Sequence, residues 1–227
     1  MDIVVRNQQD NTDNEALEQE TPPSRTEKRA AKTRTKLLNA ALAVFSESGV
    51  DAATIDVITE RADLGKGTFY RHFTDKYDIA AVLVEQAIDH LIGRLREPED
   101  HPTISVEDVL EHLLNAHYAF FRHHQEEFIL LFQGRLLLKL ERQSTDRMEA
   151  PFSRYLEEIE SQLTPYLTEK KVDLVRIRRL ACAVAGFVFG FFSFAMIGME
   201  PQDIATSIKP LRQSFVKSLS MFLAQGS

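Results

Sequence analysis

Residues 54–76 limit the possible folds of this chain most strongly, because they fit two short helices joined by a tight turn. Thr54 can cap the first helix, since its side-chain oxygen can accept from a free backbone N–H of the first turn. The buried stripe of this helix is predicted to consist of residues spaced i, i+3 and i+7, namely Ile55, Ile58 and Ala62. Asp63 is expected to end the helix, because its short polar side chain tolerates the left-handed conformation.

A second short helix is predicted to start at Gly65 and to run over residues 66–73. Phe69 and Phe73 are four residues apart, so both can face the protein interior. The outer side and the helix ends then carry basic, hydroxyl and aromatic groups: Lys66, Thr68, Tyr70, Arg71 and His72. Two such helices joined by a tight turn describe a helix-turn-helix.

The segment RADLGKGTFYRHFTDK, residues 61–76, closely resembles the helix-turn-helix signature of the tetracycline-repressor (TetR) family of transcriptional regulators. The resemblance extends over residues 25–83. It departs from the common pattern at Asp63, where a turn glycine is usual, and at Gly65, where serine often caps the recognition helix. Both residues suit those backbone roles. The alternative interpretation is a helix pair with no role in DNA binding.

This resemblance implies an all-α protein of about nine helices. Its N-terminal three-helix domain would bind a palindromic DNA operator as a homodimer, and its C-terminal helical bundle would dimerise and bind a small hydrophobic effector. Candidate base-edge and flanking contacts are Lys66, Thr68, Tyr70 and Arg71. Candidate phosphate contacts are Thr54, Gly67, Tyr70, His72 and Lys76.

Composition agrees with the all-α class, since glycine and proline are sparse and no window alternates with a period of two. The net charge of −7 is unusual for a DNA-binding protein, but the charge is unevenly distributed. Residues 1–24 are acidic. A basic cluster follows that is expected to reach phosphates or the minor groove, with Arg25, Lys28 and Arg29 at its start.

Three regions are therefore predicted: a disordered acidic tail over residues 1–24, the helix-turn-helix domain over residues 25–73, and a regulatory and dimerisation domain over residues 74–227. The chain is expected to become helical from Arg25, with apolar residues at helix spacing over residues 28–48 and an end at Gly49. A fourth helix, capped by Thr74 or Asp75, would connect the two domains. Pro151 is expected in the first turn of the seventh helix, which Pro165 would end or kink.

Residues 180–199 form an uncharged apolar run that allows two interpretations. A membrane helix fits its length, its preceding arginines and its small-residue spacing. In that case the protein would be a dimerising interaction module, membrane-associated and without operator-specific DNA binding. The favoured interpretation is a buried helix of a soluble dimer, with no membrane partner. Its interface is expected to include Gly186, Gly190, Phe194, Phe215, Leu219 and Phe222.

Aromatic residues on the central helices are explained mainly by core packing, but the resemblance implies an effector pocket among them. The candidates are His117, Phe120, Phe121, Phe128, Phe132, Phe187 and Phe191. No enzyme, cofactor or metal site is expected, because the sequence has no phosphate loop, nucleophile elbow or paired metal-binding motif. The single Cys182 and the absence of a secretory signal predict a cytoplasmic protein.

Overall fold

The computed structural model describes residues 24–98, 105–137, 145–167 and 172–224, and these residues form helices and turns without a strand. The all-α prediction is confirmed. The predicted acidic tail lies, except for Ser24, outside the described residues. The helices are α1 (Arg25–Ser48), α2 (Ile55–Arg61), α3 (Lys66–Phe69), α4 (Lys76–Leu95), α5 (Val106–His123), α6 (Gln125–Leu137), α7 (Thr145–Leu167), α8 (Leu174–Gly198) and α9 (Pro201–Ala224).

Helix α1 begins at Arg25, as predicted, and Ser24 and Glu27 form a capping box there. The Ser24 N–H donates to the Glu27 carboxylate at 2.7 Å, and the Glu27 N–H donates to Ser24 Oγ at 3.2 Å. The helix ends as predicted at Gly49, whose φ of 83° suits a residue without a side chain. Its inner face packs against α2, α4 and α6.

Helix α4 connects the N-terminal helices to the rest of the bundle, since it packs against α1, α5, α6 and α7. Asp75 caps it by accepting from the N–H groups of Tyr77 and Asp78, each at 2.8 Å. The predicted domain boundary falls immediately before this helix. Because α4 packs on α1 of the predicted N-terminal domain and also on α5, α6 and α7 of the predicted C-terminal domain, the division at residue 74 stays a prediction.

Helix α7 differs from the sequence prediction at its first proline. It begins at Thr145, so Pro151 lies inside the helix and not in its first turn, and it continues past Pro165 to Leu167. An internal proline costs about 3 kcal/mol or more in a helix. The helix persists because its inner side is buried through Tyr155, Ile159, Leu163 and Leu167.

Helix α8 is the one helix in the described part of the chain that is long and apolar enough to cross a membrane. In the folded chain it packs against α5, α6, α7 and α9, and 44% of its most apolar window is buried. Its opposite side is open: Phe194 is 77% and Ile197 84% exposed. One face of α8 therefore belongs to the core, while the other is an uncovered apolar surface.

Candidate nucleic-acid interface

The turn between α2 and α3 forms as the sequence predicts. Thr54 caps α2, and its hydroxyl oxygen accepts from the Val57 N–H at 3.3 Å. Asp63 is the only non-glycine residue with positive φ in the described segments, at 55°. The next N–H, of Leu64, donates to the Thr59 carbonyl at 2.9 Å. Gly65 then precedes the first residue of α3 with an extended backbone.

Helix α3 is shorter than predicted, because its regular turn ends at Phe69 and the chain continues through residue 72 in turns. The His72 and Phe73 N–H groups both donate to the Phe69 carbonyl, at 2.9 and 3.0 Å. The predicted inward orientation of Phe69 and Phe73 is confirmed, since these side chains are 0% and 3% exposed. They fix α3 against the core.

The outer side of α3 presents polar and aromatic groups to solvent. Tyr70 is 58% exposed and meets the buried Phe69 ring edge-on at 5.5 Å between centroids. Lys66, Gly67 and Arg71 are also exposed. Arg71 Nη2 donates to the Thr68 hydroxyl at 3.1 Å, so the guanidinium lies beside Thr68 of α3. Hydroxyl, ammonium and guanidinium groups of this kind bind base edges and phosphate oxygens.

Lys76 joins the start of α4 to the loop before α2. Its ammonium donates to the carbonyl oxygens of Asp51 and Ala53, at 2.5 and 3.2 Å. This role was not evident in the sequence, because the partners are main-chain atoms more than 20 positions away. Lys76 thus positions the capped end of α2.

Two further basic residues have structural partners that the sequence reasoning missed. Arg34 of α1 lies over the Phe73 ring, with 5.2 Å between its Cζ and the ring centroid. Arg61 donates two hydrogen bonds to the Glu47 carboxylate, both at 2.8 Å. These bonds lower the pKa of Glu47 and raise that of Arg61. The pair joins the C-terminal ends of α1 and α2.

Comparison with known proteins gives a family match for the helix-turn-helix region. Residues 37–83 match the model of "Bacterial regulatory proteins, tetR family". These residues include the whole of α2 and α3.

Residues 37–83 are thus similar to the tetR family.

Proteins similar to this chain are transcriptional regulators. It is 26% identical over 184 residues to the uncharacterized HTH-type transcriptional regulator YvdT of Bacillus subtilis, covering 77% of this chain and 92% of YvdT. It is 36% identical over 69 residues to the Escherichia coli regulator UidR, covering 30% of this chain and 35% of UidR.

Solved structures extend the likeness of fold beyond the DNA-binding helices. The fatty acid degradation regulator FadR from Bacillus halodurans aligns with a TM-score of 0.66 at 18% identity, over 81% of this chain and 94% of that one. FadR from Bacillus subtilis, solved with stearoyl-CoA, aligns with a TM-score of 0.66 at 17% identity, over 81% and 95%. The helical bundle of this chain therefore has the same fold.

The aromatic residues suggested by sequence as an effector pocket differ in exposure, and their role stays a prediction. Those that are buried are His117, Phe120, Phe121 and Phe128, whereas Phe132, Phe187 and Phe191 are partly exposed. A cavity of about 320 Å³ lies between α7 and α8. Its walls are mainly apolar, formed by Phe152, Tyr155, Leu156, Ala185 and Phe189, with Cys182 and Arg178 among the remaining lining residues.

His117 has a defined tautomer in the interior. Its Nδ1 lies 2.5 Å from the Leu113 carbonyl oxygen, which accepts, so Nδ1 carries the proton. Its Nε2 then accepts from the Tyr155 hydroxyl at 2.7 Å. Burial lowers the pKa of His117 to about 4, so the ring is neutral near pH 7. This pair connects α5 to the α7 wall of the cavity.

The residues predicted for the dimer interface lie on the outer side of α8 and on α9. Gly186 is exposed, and both Gly186 and Gly190 face open space where a side chain would begin. Phe215 of α9 stacks on Phe187 of α8, with 4.2 Å between ring centroids. Leu219 is partly exposed, and the side chain of Phe222 lies outside the described residues.

Proposed function

We propose that the chain is a homodimeric transcriptional repressor of the cytoplasm, which binds a palindromic DNA operator and leaves it when a small hydrophobic ligand binds. The observation that carries the proposal is the arrangement at α3. Phe69 and Phe73 anchor the helix in the core, while Tyr70 stands exposed between them on the opposite side. A short rigid helix with an exposed polar face fits the major groove of B-DNA.

The groups on α3 divide into two roles. Lys66, Thr68, Tyr70 and Arg71 contact base edges and flanking atoms, and Arg71 is suited to guanine because its guanidinium donates two parallel bonds. In the free protein Lys66 pairs with Asp56, and Arg71 bonds Thr68. Both interactions involve exposed groups and are weak in water, so DNA can replace them.

Phosphate contacts surround this face and fix the position of α3 without reading sequence. Thr54, Gly67 and Tyr70 are exposed, while His72 and Lys76 are partly exposed beside them. Arg25, Lys28 and Arg29 form an exposed basic end of α1. Their local charge, and not the net charge of the chain, acts on DNA because salt screens charges over about 8–10 Å.

Dimerisation places two α3 helices on one operator. The open face of α8 supplies small residues at Gly186 and Gly190 and apolar side chains at Phe194 and Ile197. Such a face suits close helix packing with a second copy, aided by exposed Leu211 of α9. A membrane-associated module would use the same uncovered face. If the protein is recovered from cells without detergent, the soluble dimer is supported, whereas a need for detergent supports the membrane-associated module.

The cavity between α7 and α8 is the proposed effector site. Its volume of about 320 Å³ and its aromatic walls suit a small hydrophobic ligand. Arg178 at its edge is bonded to Glu160 at 2.7 Å. A structural neighbour was solved with stearoyl-CoA, which supports an acyl-type ligand as the first compound to test.

A physical connection links this cavity to DNA. Tyr155 and Leu156 line the cavity, and their neighbours on α7 are tied to α4 by ion pairs. Arg154 bonds Asp89 at 2.9 Å, and Arg96 bonds Glu158 at 2.6 Å. Because α4 begins beside the helix-turn-helix, a ligand that moves α7 shifts the spacing of the two recognition helices.

The test is selection of bound duplexes from genomic fragments, repeated with a panel of hydrophobic compounds. Recovery of a palindromic sequence supports the DNA-binding part, and loss of that sequence with one compound supports the effector part. If no duplex is retained at low salt, the whole proposal fails. Similar proteins include the transcriptional activator FasR of Mycolicibacterium smegmatis and the transcriptional repressor KstR2 of Mycobacterium tuberculosis, so a reporter assay then measures the sign of regulation.

A further inference from the structure

Three metal-ligating side chains meet where α4 passes the junction of α5 and α6. They are His90 of α4, His124 at the junction, and Glu127 in the first turn of α6. His90 Nδ1 lies 3.1 and 3.0 Å from the two Glu127 carboxylate oxygens. His124 Nδ1 lies 3.5 Å from Glu127 Oε2. One ligand atom from each residue falls within 4.8 Å of the other two.

We propose that these residues bind one divalent transition-metal ion, of the Zn²⁺ class, with three protein ligands and one open position. Two imidazole nitrogens and a carboxylate are a common zinc ligand set. With metal–ligand bonds of about 2.0–2.2 Å, ligand atoms around a tetrahedral ion stand roughly 3.3–3.5 Å apart. Two of the three separations, 3.0 and 3.5 Å, are near that spacing, and the third, between the two imidazole nitrogens, is within 4.8 Å, so the rings need to move by roughly 1 Å at most.

The backbone holds the ligands on separate elements that are themselves well fixed. The His124 N–H donates to the Phe120 carbonyl at 2.8 Å, and the His124 carbonyl accepts from the Phe128 N–H at 2.9 Å. The Phe120 ring stacks on the His124 ring at 5.2 Å between centroids. His124 and Glu127 are therefore positioned by the helix junction, while His90 reaches them from α4.

Access and charge also suit a cation. The His90 side chain is 55% exposed, whereas Glu127 is 16% exposed, so an ion can enter past His90 and meet a partly desolvated carboxylate. Glu126 precedes Glu127 in the same first turn of α6 and adds negative charge. Since α6 packs on both α1 and α4, a bound ion would fasten the bundle beside the DNA-binding helices.

Sequence reasoning missed this cluster because its three residues do not form one local motif. His124 and Glu127 are three residues apart, but His90 lies 37 positions before Glu127. The expectation that no metal binds stays a competing prediction. In that case His90 only donates a hydrogen bond to Glu127, His124 lies beside them, and the cluster binds no ion.

The experiment uses the full chain without an affinity tag, stripped of metal by a chelator that is then removed. Zn²⁺ is titrated against a chromophoric competitor, and Co²⁺ is added separately to record its visible spectrum. We expect one ion per chain, the intense visible bands of four-coordinate Co²⁺, and a rise in Tm with Zn²⁺, since a ligand that binds the folded state stabilises it.

His90→Gln and Glu127→Gln should each weaken Zn²⁺ binding at least tenfold, since even groups that only support a ligand matter by 10–100-fold. His123→Gln is the matched control, because His123 is exposed, adjacent and outside the cluster; it should bind like the original chain. Circular dichroism of each variant verifies folding. Absence of Zn²⁺ binding, six-coordinate Co²⁺ spectra, or equal binding by His90→Gln and His123→Gln would overturn the proposal.

Discussion

The Lys76 ammonium donates to the Asp51 carbonyl oxygen at 2.5 Å, and this bond ties the start of α4 to the loop that leads into α2. A second bond, to Ala53, holds the residue next to the Thr54 cap. An ammonium has three donors, so these two bonds leave one for a phosphate oxygen. Lys76 thus has a positioning role in addition to the predicted phosphate contact.

Lys76→Ala should weaken binding to the operator and to random duplex DNA by similar factors, because neither role reads sequence. The slope of log K against log[salt] should fall by about 0.9 when one phosphate contact is lost. Lys209→Ala, exposed on α9 and remote in sequence from the helix-turn-helix, is the control. An unchanged slope would leave Lys76 with the positioning role alone.

Gly67→Ala separates DNA contact from folding. No atom lies within 4 Å of a methyl group added at Gly67, and the residue is inside α3. Folding stability should therefore be unchanged or rise by up to about 1 kcal/mol, because alanine is the better helix former. DNA affinity should fall if the Gly67 N–H approaches a phosphate.

Gly93→Ala is the matched control for this test, since Gly93 is also exposed and uncrowded but lies toward the far end of α4. Thermal unfolding and filter binding measure the two effects. Equal DNA affinity of Gly67→Ala and the original chain would remove Gly67 from the interface.

Asp63 determines the turn through its backbone conformation, with φ of 55°. Asp63→Val should destabilise the fold by about 1–2 kcal/mol, because a side chain branched at Cβ is strained in the left-handed region. Asp63→Gly should be neutral or stabilising. Glu60→Ala, at an exposed position of α2, is the control and should change the free energy of unfolding by less than about 0.5 kcal/mol, as measured in urea. A neutral Asp63→Val would show that the turn is not constrained.

His117 should make the free energy of unfolding decrease as the pH falls below about 6.5. Its pKa is about 6.5 when unfolded and about 4 when folded, so the unfolded chain binds the extra proton first. The contribution is complete above pH 6.5 and is lost as pH falls toward 4, with a limiting slope of about 1.4 kcal/mol per pH unit.

His117→Gln should reduce that slope between pH 6.5 and 4, whatever its effect on stability at pH 7. Urea unfolding at a series of pH values measures the slope, and His123→Gln serves as the exposed control. Parallel curves for the original chain and His117→Gln would contradict the buried neutral state of His117.

Local backbone signals allowed much of the DNA-binding face to be predicted. Thr54, Asp63 and Gly65 have short-range roles, and the structure has each in the predicted conformation. The length of α3 was overestimated, because the spacing of Phe69 and Phe73 fits a continuous helix and also fits a helix followed by turns. Periodicity alone does not distinguish them.

Interactions between distant segments could not be predicted. The Arg61–Glu47 pair, the Lys76 bonds and the Arg34–Phe73 contact depend on how the helices cross. The cavity between α7 and α8 arises in the same way, from the shape left between two packed helices. An aromatic residue predicts burial well, but burial does not tell whether the residue fills the core or lines a cavity.

Protection of guanine N7 by the bound protein tests most directly whether α3 enters the major groove twice per dimer. Methylation of a selected duplex should reveal two protected clusters whose centres are one helical turn apart, about 34–36 Å, or a multiple of that distance. Arg71→Ala should remove protection in both half-sites symmetrically. Unprotected guanines, or protection confined to a single cluster, would contradict the two-fold major-groove arrangement.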